Sequence, residues 1–115
     1  MFVLPADSGQ LYVYLEPAQT QTGVVPLGGD ARYLISADGL SIIEAHRMHN
    51  SILEKRPAAP GVKEVAGYRA HVLSDVPEDG DVFYVLRQHP PLPEYVGSAK
   101  CTYVVNADGT IANVK

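Results

Sequence analysis

The chain has 115 residues, of which 46% are hydrophobic and 19% charged. This size accommodates one hydrophobic core, so we expect a single β-rich domain over residues 1–115, and the composition excludes a disordered chain. The net charge of -4, with nine scattered Lys and Arg, excludes the basic footprint on which nucleic-acid binding depends.

The N-terminal segment from Met1 to Pro5 lacks the basic residues and the long apolar stretch of a secretory signal. No run of the chain approaches the length of a membrane span, so a soluble domain is expected. The low charge content fits a cytoplasmic protein and equally a periplasmic or secreted domain without its signal peptide. The apolar start is also compatible with a fragment of a longer chain.

The segment from Leu11 to Leu15 alternates aliphatic and aromatic residues with period two, which predicts a strand. Tyr12 and Tyr14 then share the face opposite the three aliphatic residues. Pro17 is expected to end this strand.

Two similar segments predict β-hairpins. Tyr33 to Gly39 reads YLISADG, and Tyr103 to Gly109 reads YVVNADG. In each, β-prone residues lead into Asp-Gly, whose glycine supplies the positive φ angle that tight turns require, and apolar residues follow. We therefore expect Gly39 and Gly109 at positive φ in hairpin turns.

The segment from Ser41 to Lys55 has mixed periodicity. Because a hairpin turn precedes it, we predict a returning strand to about Met48. A short helix or turn capped by Asn50 or Ser51 is then expected up to Lys55.

The segment from Tyr68 to Leu86 predicts a strand, an acidic loop around Asp75 to Asp81, and a second strand. A helix from Asp81 to Gln88 is the alternative. Together these elements predict an α+β domain that is mainly an antiparallel β meander of hairpins, with one or two short helices.

Histidines supply the only plausible metal ligands. His46 and His49 lie three residues apart, so on a strand they face opposite sides and cannot share a metal. His71 is the third candidate, with Glu44 or Asp75 as carboxylate partners. The surroundings of His71 differ from the His-x-His, Ser and Asp pattern of JAB/MPN isopeptidases at Arg69 and Pro77, so we infer no family from them.

No nucleotide-binding, nucleophile-elbow or zinc-protease motif occurs, and we predict no cofactor. The favoured function is a non-enzymatic interaction module for a protein partner or for itself, and the alternative is a metal-dependent hydrolase using His46, His49 and His71. Tyrosines suit half-buried recognition surfaces. The predicted binding surface consists of Tyr12, Tyr14, Tyr84 and Tyr95.

Two further expectations concern Cys101 and the strand edges. Cys101 begins an apolar run, which predicts a buried, unreactive thiol. The uncharged segments from Leu11 to Leu15 and from Ile111 to Val114 would expose pairing groups if they were sheet edges. We therefore predict that one is central or paired across a homodimer, and that the C-terminal segment is the edge.

Overall fold

A computed structural model describes residues 1–114. These residues form ten strands, one α-helix and one 3-10 turn, Asp7–Gly9. The strands are β1 (Phe2–Pro5), β2 (Leu11–Leu15), β3 (Val25–Gly28), β4 (Ala31–Ile35), β5 (Ile42–Arg47), β6 (Ile52–Lys55), β7 (Gly67–Ala70), β8 (Glu94–Gly97), β9 (Thr102–Val105) and β10 (Ile111–Asn113), and the helix is α1 (Asp79–Leu86).

The strands form three sheets. The first is antiparallel with the order β1-β2-β4-β5, the second has the order β10-β9-β8-β7, and β3 pairs with β6 in the third. Strands β7 and β8 are parallel, and α1 lies in the crossover between them. The α+β class with mainly antiparallel strands is confirmed, but the simple meander is not, because parallel neighbours require such a crossover.

Both predicted hairpins are confirmed. Gly39 has φ 77° in the turn between β4 and β5, and Gly109 has φ 87° between β9 and β10. In each turn the Asp side chain accepts the N–H two residues later, at 3.0 Å for Asp38 and 2.9 Å for Asp108. The turns are thus stabilised by local hydrogen bonds that the Asp-Gly sequence provides.

Two local predictions are wrong. The segment predicted as a short helix up to Lys55 contains β6, which pairs along its whole length with β3, so long-range pairing overrides the local capping signal. The second strand predicted before Leu86 is α1, as the helical alternative proposed. The N–H of Glu78 donates to the Asp81 carboxylate at 2.7 Å and thereby stabilises the first turn of α1.

The core lies where α1 packs against the second and third sheets. Tyr84 and Val85 of α1 are buried together with Val96 of β8 and Val105 of β9. Val25, Leu27 and Val82 pack against this group. The core therefore fixes the position of α1, whose first turn carries acidic residues.

The two uncharged strands lie where they were predicted, one inside a sheet and the C-terminal one at an edge. β2 lies between β1 and β4, whereas β10 is an edge strand. The homodimer itself stays a prediction. Cys101 precedes β9 and is only partly buried, so the expectation of full burial is wrong.

Candidate metal centre

Acidic residues at the start of α1 attach the helix to the first sheet. The Asp79 carboxylate accepts hydrogen bonds from the Tyr14 hydroxyl at 2.7 Å and from Arg32 Nη1 at 2.6 Å. Glu78 Oε2 lies 2.9 Å from His46 Nε2. We call these five residues the docking cluster. They hold the first turn of α1 beside the end of β5.

Three further side chains meet at this turn and form what we call the His–His–Asp cluster. His49 follows β5, His71 follows β7, and Asp81 lies in the first turn of α1. The Nε2 atoms of the two histidines are 3.0 Å apart. His49 Nε2 lies 3.1 Å from Asp81 Oδ1, and His71 Nε2 lies 2.8 Å from Asp81 Oδ2. Three ligand atoms of the kind that transition metals prefer therefore converge on one point.

The Nδ1 atoms of both histidines already have hydrogen-bond acceptors. His49 Nδ1 lies 2.6 Å from Asp30 Oδ1, and an ionised carboxylate can only accept. His71 Nδ1 lies 3.0 Å from Ser74 Oγ, whose hydroxyl proton is donated to the Val76 carbonyl at 2.8 Å. Each Nδ1 therefore carries a proton. In the neutral tautomers both Nε2 atoms offer lone pairs, whereas a further proton on His49 Nε2 can be donated to Asp81 or to His71 Nε2.

Asp81 is held in its ionised form by its surroundings. Burial of its carboxylate opposes ionisation, but the hydrogen bonds to His49 and His71 and the charge of Arg69 lower its pKa well below the usual value. Arg69 and the Glu78 N–H each bind one of its oxygens. Because a carboxylate offers about four lone-pair positions, a bound cation still has room.

His49 binds an extra proton when no cation is present. Burial alone would lower its pKa, but hydrogen bonds to Asp30 and Asp81 outweigh burial and raise it to about 9. The site between the three side chains thus attracts positive charge, which a proton or a metal ion can supply.

Glu16 is a further acidic residue, whose charge interacts with Asp30 and His49, and the sequence did not reveal it. It directly follows β2, and its Oε1 atom is buried without a hydrogen-bond partner among residues 1–114. Burial, followed by the negative charge of Asp30, raises its pKa to about 7. A carboxylate with this pKa can accept and release a proton near neutral pH.

The close approach of α1 to Asp30 depends on Gly80. A Cβ atom at this position would overlap the Asp30 carboxylate and lie 3.5 Å from His49 Cε1. Gly80 is therefore required for steric reasons, because any side chain there would displace the carboxylate that orients His49.

The structure places the three predicted histidines in two different clusters. His49 and His71 converge, but His46 belongs to the docking cluster, as expected for residues three apart near a strand. The two carboxylates predicted as partners have other contacts: Glu44 lies 3.9 Å from Arg32, and Asp75 binds Lys100 at 2.8 Å. Asp81, 32 residues from His49, replaces them.

The four tyrosines do not form one continuous exposed surface. Tyr14 and Tyr84 are 6% and 3% exposed, whereas Tyr95 is 37% exposed and Tyr12 is half-buried. Tyr14 serves the docking cluster, and Tyr84 serves the core. A tyrosine-based interaction surface stays a prediction, and Tyr12 and Tyr95 are the members available for it.

A cleft of about 770 Å³ opens beside the cluster on the face of the first sheet. Asp30 and His49 line its inner wall, and Leu15, the neighbour of Glu16, lines it too. Its size falls within the range of small-molecule sites. A substrate in this cleft would contact His49 directly.

No family model, curated protein or solved structure matches the chain. Among residues 1–114, no helix is both long and apolar enough to cross a membrane.

Proposed function

We propose that this protein is a metal-dependent hydrolase in which His49, His71 and Asp81 bind a divalent cation, with Zn²⁺ the best fit. The observation that carries the proposal is the 3.0 Å separation of two histidine Nε2 atoms whose Nδ1 atoms are both engaged elsewhere. Two neutral imidazoles in this arrangement place lone pairs against each other, which is unfavourable unless a positive charge lies between them. The extra proton on His49 supplies that charge in the metal-free protein, and a divalent ion would replace it.

The distances suit a tetrahedral zinc site. Zinc bonds of about 2.0–2.1 Å place neighbouring ligand atoms roughly 3.3 Å apart in a tetrahedron. The two Nε2 atoms lie 3.0 Å apart, and they lie 3.1 and 2.8 Å from different oxygens of Asp81. A rotation of this carboxylate, with shifts of a few tenths of an ångström, would bring one oxygen and both nitrogens to zinc-ligand separations. Three protein ligands leave a fourth position for water or substrate, which is typical of catalytic zinc.

Charge also favours a divalent cation. With His49 neutral and Glu16 ionised, the charges of Glu16, Asp30, Asp81, Arg69 and a divalent ion sum to zero. Without metal, protonated His49 and neutral Glu16 restore the same balance. A proton on His49 and the metal are therefore alternatives, and metal binding should release up to two protons, one from His49 and one from Glu16.

The expected reaction is hydrolysis of an amide or ester. A divalent zinc ion polarises a carbonyl and lowers the pKa of a bound water. The water oxygen forms a bond to the carbonyl carbon, Glu16 accepts the water proton, and the bond to the leaving nitrogen or oxygen breaks. Glu16 then delivers that proton to the leaving group. The products are a carboxylic acid and an amine or alcohol.

The interaction-module hypothesis has less support. Two of its four tyrosines are buried and have structural contacts of their own. An interaction module does not need ligand atoms that lie close together. The hypothesis therefore does not explain why His49 and His71 face each other.

Zinc binding tests the proposal directly. We expect elemental analysis of zinc-loaded protein, after removal of free metal, to give one zinc per chain. His49→Gln should weaken zinc at least a hundredfold in calorimetric titration, whereas His46→Gln, three residues away, should change it less than threefold. Absence of stoichiometric zinc, or equal losses in the two variants, would contradict the metal site.

The catalytic role of Glu16 needs a separate test. Glu16→Gln keeps the size of the side chain but cannot accept a proton. We expect this variant to retain zinc and to lose 10²–10⁴-fold in turnover, on the order of ordinary general-base effects. Unchanged turnover on an ester and amide panel would remove Glu16 from the reaction.

A further inference from the structure

A second, smaller cavity adjoins the His–His–Asp cluster and shares His49 with the large cleft. It has a volume of about 110 Å³ and lies between the loop after β5 and the segment after β7. His49, His71 and Arg69 all line it. A group bound there would therefore lie next to the proposed metal.

The floor of this cavity contains a buried cation with unused donors. Arg69 is 8% exposed, and one of its nitrogens donates to Asp81. Its Nε and Nη1 atoms are buried without a hydrogen-bond acceptor in the described part of the chain. Its guanidinium lies 4.9 Å from the Tyr84 ring centre, which stabilises the charge but accepts no conventional hydrogen bond. Buried donors of this kind are expensive to leave unpaired, so an acceptor oxygen is expected nearby.

The rim of the cavity is aliphatic and faces solvent. Leu53, Val72 and Leu73 are 55%, 78% and 47% exposed, and Met48 closes the cavity from below at 1% exposed. An aliphatic group in the cavity would cover these side chains. The volume limits it to roughly four to eight non-hydrogen atoms.

We infer that this cavity is the subsite for a short aliphatic acyl group, with its oxygen directed to Arg69 and its carbon chain to the aliphatic rim. The substrates are then amides or esters of short aliphatic acids, and the product that occupies the subsite is a short aliphatic carboxylate. The assignment of an acyl group rests on the proposed hydrolase function. Binding of a ligand in the cavity can be tested independently of that function.

Butyrate is the probe, with acetate and butyramide as matched controls. Butyrate should shift the backbone amide signals of residues 69–73 in NMR titrations of zinc-loaded protein, with a millimolar Kd. Acetate, which would bind a metal equally well, should bind about tenfold more weakly because it lacks two methylene groups. Butyramide should also bind more weakly, because it lacks the charge that pairs with Arg69.

Two exposed valines provide matched variants. Val72 lies on the rim, and Val65 is similarly exposed, at 71%, but does not line the cavity. Val72→Asp should weaken butyrate at least tenfold, whereas Val65→Asp should change its Kd less than twofold. Arg69→Lys, with zinc content verified, should also weaken butyrate.

Repeating the titration with chelator separates the two proposals. Butyrate binding that depends on Val72 in a protein that takes up no zinc would support the cavity as a ligand site and contradict the metal site. Zinc uptake without butyrate binding would contradict the acyl subsite alone. Equal affinity for acetate and butyrate, or no effect of Val72→Asp, would also overturn the subsite.

Discussion

The docking cluster and the His–His–Asp cluster use the same two segments of the chain with different results. His46 and His49 come from the end of one hairpin, and Asp79 and Asp81 come from the first turn of α1. His46 meets one carboxylate and keeps 35% of its side chain exposed, whereas the His49 side chain is 11% exposed and meets Asp30, His71 and Asp81.

The difference teaches what separates a structural ion pair from a ligand site. In the docking cluster, donor groups face a carboxylate: Tyr14 and Arg32 both donate to Asp79, while Arg32 Nε is buried without an acceptor among residues 1–114. In the His–His–Asp cluster, the protons of the histidines are directed outward to Asp30 and Ser74. When both rings are neutral, the inward atoms are left as acceptors, and in the metal-free protein the extra proton on His49 occupies this position. A surplus of acceptors at a buried point is what a cation requires.

Removing one carboxylate from each cluster should give the largest contrast. Asp81→Ala leaves Arg69 as a buried charge without its partner, and we expect the metal-free protein to lose about 3–5 kcal/mol in the free energy of unfolding, if it folds at all. Asp79→Ala should lose about 1 kcal/mol or less, because the Asp79 side chain is 44% exposed. Urea unfolding with chelator measures both, and similar losses would erase the distinction between the clusters.

The pH dependence of stability should identify the proton that replaces the metal. The pKa of His49 is raised from 6.5 to about 9, so its stabilising effect is complete below pH 6.5 and is lost as pH rises through 9. The loss amounts to roughly 3 kcal/mol for the metal-free protein.

Glu16, with its pKa raised from 4.5 to about 7, has the same sign, but its effect is lost at lower pH. The interval from pH 7 to 9 therefore reports mainly on His49. His49→Gln should flatten the unfolding free energy in this interval, and His46→Gln should not. If the unfolding free energy of His49→Gln still falls between pH 7 and 9, the proton belongs to another group.

Ser74 orients His71 and has no counterpart in the docking cluster. Ser74→Ala removes the acceptor that keeps a proton on His71 Nδ1, so zinc affinity should fall about 10–100-fold. Calorimetric titration measures the change. Ser36→Ala, which alters the first hairpin turn instead, is the control and should leave zinc affinity within threefold of the starting value.

Substitutions in the two hairpin turns should lower the stability of the protein and have the smallest effects on zinc. Valine is strained at the positive φ of Gly39 and Gly109, and each substitution should cost about 1 kcal/mol or more in thermal unfolding. Gly109→Val should be the more harmful, since its Cβ would lie 3.3 Å from Leu86 Cδ1 of α1, whereas Gly39 has no neighbour within 4 Å. Because α1 carries Asp81, Gly109→Val should also weaken zinc slightly. An unchanged melting temperature for both variants would contradict the turn assignment.

The alternation of side chains between the two faces of a strand predicted part of the candidate site. Alternation along a strand predicted that His46 and His49 lie apart, and the structure places them in different clusters, although β5 ends at Arg47. His71 was among the predicted candidates and lies beside His49, and its role as a metal ligand stays a prediction. The carboxylates were missed because neither Asp81 nor Glu16 stands in a recognisable spacing to any histidine. Asp81 was assigned to an acidic loop, where Asp and Gly are expected for turn formation alone.

The amino-acid sequence by itself determined the features that depend on neighbouring residues: the strand from Leu11 to Leu15 through its alternation, and both hairpins through Asp-Gly. Tertiary structure decided the rest. The pairing of β6 with β3 overrode a local capping signal, and the crossover through α1 replaced a predicted strand. The site itself joins Glu16, Asp30, His49, His71 and Asp81 from separate elements. Their chemistry arises from burial and mutual distance, which no local pattern encodes.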